Sequence, residues 1–142
     1  MTPREYTARF STGIRMATVE LTKDNFEKVI TESPMVIVDF WAPWCGPCRG
    51  FAPIYEQAAE SHADVVFGKI NTDQEQELAG AFNIRSILTL MVFREKVVLF
   101  QQAGALPASA LEQVITQAKA LDMTKVHQEI AERDRQDGQA PS

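Results

Sequence analysis

Apolar residues along this chain come in short runs, some continuous and some spaced at a helical period, and the change from one kind to the other predicts its elements. "ATVEL", Ala17 to Leu21, reads as a short first strand. "TKDNFEKVITES" follows as a short helix with Phe26, Val29 and Ile30 on one face. Thr22 or Asp24 is expected to cap it, since either side chain can accept from the free N–H groups of a first turn. Pro34 closes the loop, and "MVIVDFWA" is almost wholly apolar, as suits a central strand covered on both faces. The turn "PWCGPC" leads into a helix from about Cys48 to Ser61, with Phe51, Ile54, Tyr55, Ala58 and Ala59 in phase. Pro53 lies inside that helix and is expected to kink it, because proline has no N–H and crowds the preceding turn.

"DVVFGKI" is the next strand, and "NTD" is a turn placed to cap the helix "QEQELAGAF". "SILTLMVF" and "VVLFQQ" read as two strands joined by "REK", a link so short that they should be antiparallel neighbours. Gly104 breaks the chain, and Pro107 opens a long helix with Leu111, Val114, Ile115, Ala118 and Leu121 on one side. The order is β-α-β-α-β-α-β-β-α. Its strand–helix–strand units should be parallel and right-handed, and its final hairpin antiparallel. The fold class is therefore α/β, a central mixed sheet with helices on both faces. Residues 17–121 form the expected domain. Residues 1–16 read as a flexible N-terminal extension. Residues 122–142 read as a helical extension, with Met123, Val126 and Ile130 in weak phase, followed by a disordered tail from Asp134 to Ser142.

Length and charge narrow the function. A chain of 142 residues with 45% hydrophobic residues can bury one sizeable core without staples. A net charge of −5 argues against a general nucleic-acid binder. "MVIVDFWA" and "LTLMVF" fall far short of a bilayer span, so no membrane partner is expected. The N-terminus "MTPREYTARFSTGIR" lacks the apolar segment of a secretory signal; its arginines leave a transit peptide as the alternative to a plain extension. The only two cysteines, Cys45 and Cys48, form a single C-x-x-C. That usage suits a reducing compartment, the cytoplasm, and a pair that acts as a reagent rather than a staple.

Cys45 lies in the turn before a helix, facing unpaired N–H groups and the positive end of the helix dipole, both of which favour thiolate over thiol. It is expected to be the exposed, low-pKa nucleophile. Cys48, about one turn on, can reach its sulfur while partly shielded. Gly46 lets the turn close and Pro47 fixes φ at the helix start. The arrangement suits exchange, in which Cys45 attacks a disulfide and Cys48 resolves the mixed disulfide. The alternative is half a zinc site. A structural site wants four ligands, and the chain offers only His62 and His127 besides, both read as surface residues.

"VDFWAPWCGPC" resembles the active-site segment of the thioredoxin family, and the resemblance runs from about Thr18 to Leu121 through "KINTD", "FNIRSI" and "GAL". It implies a thioredoxin fold and a protein-disulfide reductase working on disulfide-containing client proteins. It also implies a monomer with no bound cofactor. Its redox-active disulfide, Cys45–Cys48, would be recharged by NADPH through a flavoprotein, thioredoxin reductase. Cys45 matches the attacking cysteine and Cys48 the resolving one. Asp39 matches a buried aspartate beneath the pair; a lone carboxylate in an apolar strand should have a raised pKa and could take the Cys48 proton. Lys69 matches the lysine that modulates it, though alone it would read as a surface lysine. Trp44 matches a client-facing tryptophan, whereas Trp41 reads as packing. Gly104 matches a glycine of the substrate rim, or is a plain loop glycine.

The departure is Leu88, which stands where the family has a cis-proline facing the dithiol. The residue before it, Ile87, would offer backbone groups to an extended client segment. A cis non-proline bond costs about 2.5–4 kcal/mol, against a typical domain stability of roughly 5–15 kcal/mol. Ile87–Leu88 is therefore expected to be trans, with the loop rearranged, the leucine side chain close to Cys45 and client docking impaired. A thioredoxin-shaped binding or holdase module with little turnover is the first alternative. A metal-bridged dimer through Cys45 and Cys48 is the second.

Overall fold

The middle of the fold follows from one segment, Met35–Trp41 (β2), whose side chains alternate between two apolar layers. Met35 and Ile37 enter one layer with Phe51, Tyr55, Leu111 and Ile115, while Val36, Val38 and Phe40 enter the other with Val29, Ile30 and Met91. A strand buried on both faces has no polar side, which is why its sequence lacks the usual alternation. The computed structural model describes residues 17–139, with side chains described as far as residue 137. The expected extension at residues 1–16 and the final three residues of the chain lie outside the described residues.

Around β2 the strands are Thr18–Glu20 (β1), Val66–Asn71 (β3), Thr89–Arg94 (β4) and Val97–Ala103 (β5). They form a five-stranded mixed sheet in the order β1-β3-β2-β4-β5. β3 pairs parallel with both β1 and β2, and β4 pairs antiparallel with β2 and β5. The helices are Phe26–Glu32 (α1), Gly46–Ser61 (α2), Gln76–Ala81 (α3), Ala108–Ala120 (α4) and Met123–Gln139 (α5). Residues of α2 and α4 fill one layer, and residues of α1 and α3 fill the other. This is the expected α/β architecture with helices on both faces.

Several boundaries differ from the expected ones, each for a local reason. α1 starts behind Asn25 rather than behind a Thr22 or Asp24 cap. The Asn25 side chain accepts from the Thr22 N–H at 2.8 Å, and the Thr22 hydroxyl accepts from the Asp24 N–H at 3.2 Å, so both are spent on the preceding turn. α2 begins at Gly46, not near Cys48, because Cys45 itself is its N-cap. In "NTD", Asn71 Oδ1 accepts from the N–H groups of Asp73 and Gln74, which turns the chain before α3 but leaves the helix end itself without a side-chain cap. α3 then closes with Asn83 at φ +57°, its N–H on Gly80 O and that of Ile84 on Ala79 O. That pair of bonds is the Schellman ending of a helix, with asparagine in the left-handed position.

"REK" makes a two-residue hairpin in which Glu95 and Lys96 both have positive φ, at +51° and +70°. Such turns match the twist of the flanking strands. In β5, Val98 pairs with Phe93 and Phe100 with Val92, so Leu99 is an extra, bulged residue. A bulge twists an edge strand away from further pairing.

α4 ends at Ala120, and Leu121 is exposed rather than part of the buried side. Arg94 Nη1 donates to the carbonyls of Ala118, Lys119 and Leu121, satisfying the last turn of α4. Asp122 then caps α5 through the N–H groups of Thr124 and Lys125. α5 continues to Gln139, so residues 134–139, expected as disordered tail, are helical. Its exposed second half keeps helical form with support from an ion pair between Glu132 and Arg135, three residues apart.

Tyr55 ties α2 to the sheet. Its hydroxyl is fully buried and lies 3.0 Å from Ile37 O on β2 and 2.8 Å from Gly68 O on β3. One phenolic proton serves the two carbonyls, at the point where α2 crosses the sheet. Tyr55→Phe should lower unfolding free energy by about 1 kcal/mol, the net worth of one buried hydrogen bond. Urea unfolding of the oxidised protein, at unchanged denaturant slope, measures it.

Candidate active site

α2 owes its start to Cys45. The residue is extended, at φ −85°, and its sulfur accepts from the Cys48 N–H at 3.2 Å. Pro47 occupies the first turn, where its missing N–H costs nothing, and no acidic residue lies in that turn. Negative charge on Cys45 Sγ would meet a backbone donor and the positive end of a helix sixteen residues long. Cys45 and Cys48 are joined by a disulfide, with Cα atoms 5.3 Å apart.

The sequence suggested that Cys45 would be exposed, and it is not. Cys45 is 5% exposed and Cys48 6%. Both belong to the apolar layer that also contains Leu88, Leu106 and Phe51, with Ile87 on its margin. Leu88 is buried in that same layer. Its side chain is 0% exposed, and the Ile87–Leu88 bond is trans, as expected. The chain turns instead through φ +68° at Leu88, which is why β4 begins at Thr89 and not at Ser86. A left-handed non-glycine residue costs roughly 1–2 kcal/mol. Burying a leucine side chain returns about 1.5–3 kcal/mol, so the inward turn is the favoured outcome. Gly104, at φ +99°, donates its N–H to Leu88 O at 2.8 Å, and this bond ties the two walls of the rim.

Asp39 is the single charged position of β2 and is 2% exposed. Being an odd-numbered residue like Met35 and Ile37, it points into the layer beneath α2, the one that holds the two cysteines. Burial raises its pKa from the ordinary 3.8 to about 7, and the charge of Lys69 partly offsets that rise. Lys69 stands opposite it in the β2–β3 register. Nearby, burial first, then the charges of Asp39 and Glu56, hold the Tyr55 phenol protonated well above its ordinary range.

Trp44 is 63% exposed, and its indole N–H donates to Asp73 Oδ1 at 3.2 Å. Gly46 and Pro47 are exposed beside it. The structure thus gathers Cys45, Cys48, Ile87 and Leu88 in one place, with Gly104 bonded to it, and puts Asp39 and Lys69 together on the strands beneath. Sequence reasoning took Tyr55 and Trp41 only as packing positions and did not single out Asp73. Tyr55 had a signal, a phenol on the buried stripe of a helix; Asp73 had none, since its partner is twenty-nine residues away.

His62 and His127 were read as plain surface residues, and each has a partner. His62 lies between Glu112 and Lys119 and stacks on Phe67, and His127 pairs with Glu95. Among the described residues no group of three or more His, Cys, Asp or Glu side chains is placed to hold a metal ion. No helix among them is long and apolar enough to cross a membrane.

The thioredoxin family model matches residues 17–117. The chain belongs to the thioredoxin family. A Streptomyces coelicolor protein named as a thioredoxin 2 is 54% identical over 122 residues, 86% of this chain and 91% of that protein. The thioredoxin of Alicyclobacillus acidocaldarius is 45% identical over 97 residues, 68% of this chain and 92% of that one. Among solved structures, Plasmodium falciparum thioredoxin superposes with a TM-score of 0.66 at 35% identity, covering 70% of this chain and 98% of its own. Family membership and the paired cysteines make the chemistry thiol–disulfide oxidoreduction, with a redox-active disulfide at Cys45–Cys48.

The buried carboxyl of this thioredoxin fixes a pH dependence. The folded chain keeps the Asp39 proton up to about pH 7, whereas an unfolded chain releases it near 3.8. Between those values the folded state binds more protons, so stability falls as pH rises through the window. Asp39→Asn should match the parent near pH 4 and exceed it at about pH 8, by up to about 4 kcal/mol. Urea unfolding of the oxidised proteins across this range measures the difference.

Proposed function

We propose that this thioredoxin reduces disulfides of client proteins, with Cys45 attacking and Cys48 resolving. The observation that carries the reading is Cys45 as the cap of α2, with the Cys48 N–H on its sulfur. In the reduced protein the Cys45 thiolate attacks one client sulfur, and the other leaves as a thiolate that takes a proton. Asp39 then removes the Cys48 proton, and Cys48 attacks Cys45 Sγ. The second client sulfur leaves as a thiolate and takes up a proton, the Cys45–Cys48 disulfide forms, and two electrons have passed to the client. Asp39 suits this step because a carboxylate that titrates near 7 can both hold and release a proton at working pH. Lys69 tunes it by its charge.

Trp44, Gly46, Pro47, Ile87, Leu88 and Gly104 form the proposed client surface. Regeneration by NADPH through thioredoxin reductase, action as a monomer and residence in the reducing cytoplasm complete the reading. The burial of Cys45, Cys48 and Leu88 in one apolar layer supports impaired docking: a client must displace or bypass apolar side chains to reach Cys45. The same burial favours, as a second reading, a thioredoxin-shaped binding module with little turnover.

A reductase-coupled assay on a protein disulfide and on a small disulfide separates these. Leu88→Pro should raise kcat/KM for the protein about tenfold, equivalent to about 1.4 kcal/mol, and change the small substrate little. An equal gain on both would place the effect of Leu88 in covering the sulfurs rather than in docking. No turnover by the parent, despite a dithiol that titrates reversibly, would leave only the binding module.

A further inference from the structure

Lys69 lowers the proton affinity of Asp39 only while its ammonium stays near, and a lysine side chain is long and mobile. Within the described residues Lys69 forms no ion pair with Asp39 at salt-bridge distance; the two share a register position on adjacent strands. What the Lys69 Nζ does meet is the ring of Trp41, at 4.9 Å from the centroid. Trp41 lies two residues beyond Asp39 on β2, so both side chains point to the same face. The Trp41 indole N–H is buried and has no hydrogen-bond partner among the described residues. Hydrogen bonding therefore does not account for an indole here. Its ring face, negative at the centre of the quadrupole, attracts the cation.

We infer that Trp41 is a positioning residue, whose ring face pins the Lys69 ammonium beside Asp39 and so sets the proton affinity of that carboxyl. The other groups that face Asp39 leave this role to Trp41 and Lys69. From α2 come Tyr55, which stays protonated, and the Cys45–Cys48 pair, which carries no charge while disulfide-bonded. From β4 the residue opposite is Leu90. Glu56 is turned away to the Ala17 N–H and the Thr18 hydroxyl. The functional meaning rests on Asp39 being the base for Cys48, but the titration does not.

The test is the pH titration of the Asp39 carboxyl carbon by NMR in the oxidised protein, where the cysteines do not titrate. Trp41→Leu should raise the Asp39 pKa by roughly half a pH unit, the scale of one cation–ring contact. Trp41→Phe, which keeps a ring face, should stay near the parent. In a Lys69→Met background, Trp41→Leu should add nothing. A lowered pKa in Trp41→Leu would overturn the inference, because it would mean that the ring works by excluding water. No change, or a rise that persists in Lys69→Met, would overturn it too. Multiply fluorinated tryptophan, incorporated in a Trp44→Phe background, weakens the ring quadrupole without removing the side chain. It should raise the Asp39 pKa, and an unmoved titration would sink the proposal even if Trp41→Leu does not fold. If Asp39→Asn leaves resolution by Cys48 unimpaired, the proposed role of Asp39 fails while the titration result stands.

Discussion

A carboxylate in the middle of a strand buried on both faces is the constraint around which this molecule is arranged. β2 is apolar from Met35 to Phe40 except at Asp39, and its neighbours on both sides are strands. Water is excluded from that position, so the charged form of Asp39 is disfavoured before any partner is considered. The groups nearby fit that fact. A lysine stands one strand away, a phenol donates to the backbone beside it, and the dithiol lies in the same layer. An apolar strand alone would make a more stable sheet. In the proposed mechanism this polar residue supplies, beneath the helix cap, a proton acceptor that works near neutrality.

Leu88 shows a second balance of the same kind. A leucine at this turn has two ways to fit, and the one adopted keeps the peptide trans and rotates the residue into left-handed space. The side chain is then carried inward, into the same apolar layer as the two cysteines. Backbone cost and side-chain burial thus act together at one residue of that layer.

Much of this was legible in the sequence because it depends on near neighbours. The order of strands and helices, the antiparallel hairpin at "REK" and the place of Cys45 ahead of a helix all follow from local pattern. The trans bond at Leu88 followed from a general cost. What was missed depends on distance. Cys45 is buried in a layer to which Leu88 and Leu106 come from other parts of the chain. The hold on Trp44 needs Asp73, and the contact between Lys69 and Trp41 needs the parallel register of β2 and β3. The helix running to Gln139 was hidden by composition: "ERDRQDGQ" has no apolar stripe, and its helical state extends from a capped and anchored start at Asp122.

That start has a practical side. β2 runs from Met35 to Trp41 and delivers the chain to Cys45, so the dithiol lies beyond the carboxyl end of β2 and the amino end of its antiparallel partner β4. Arg94, at the far end of β4, gathers the close of α4, and Glu95 in the adjoining turn meets His127 of α5. The two poles of the sheet are thereby given to different tasks. A protein coupled to a bead or an electrode through the start of α5, beside His127, would stand with its sulfurs at the pole of the sheet away from the support. The orientation of an immobilised layer is written into the direction of a single antiparallel pair.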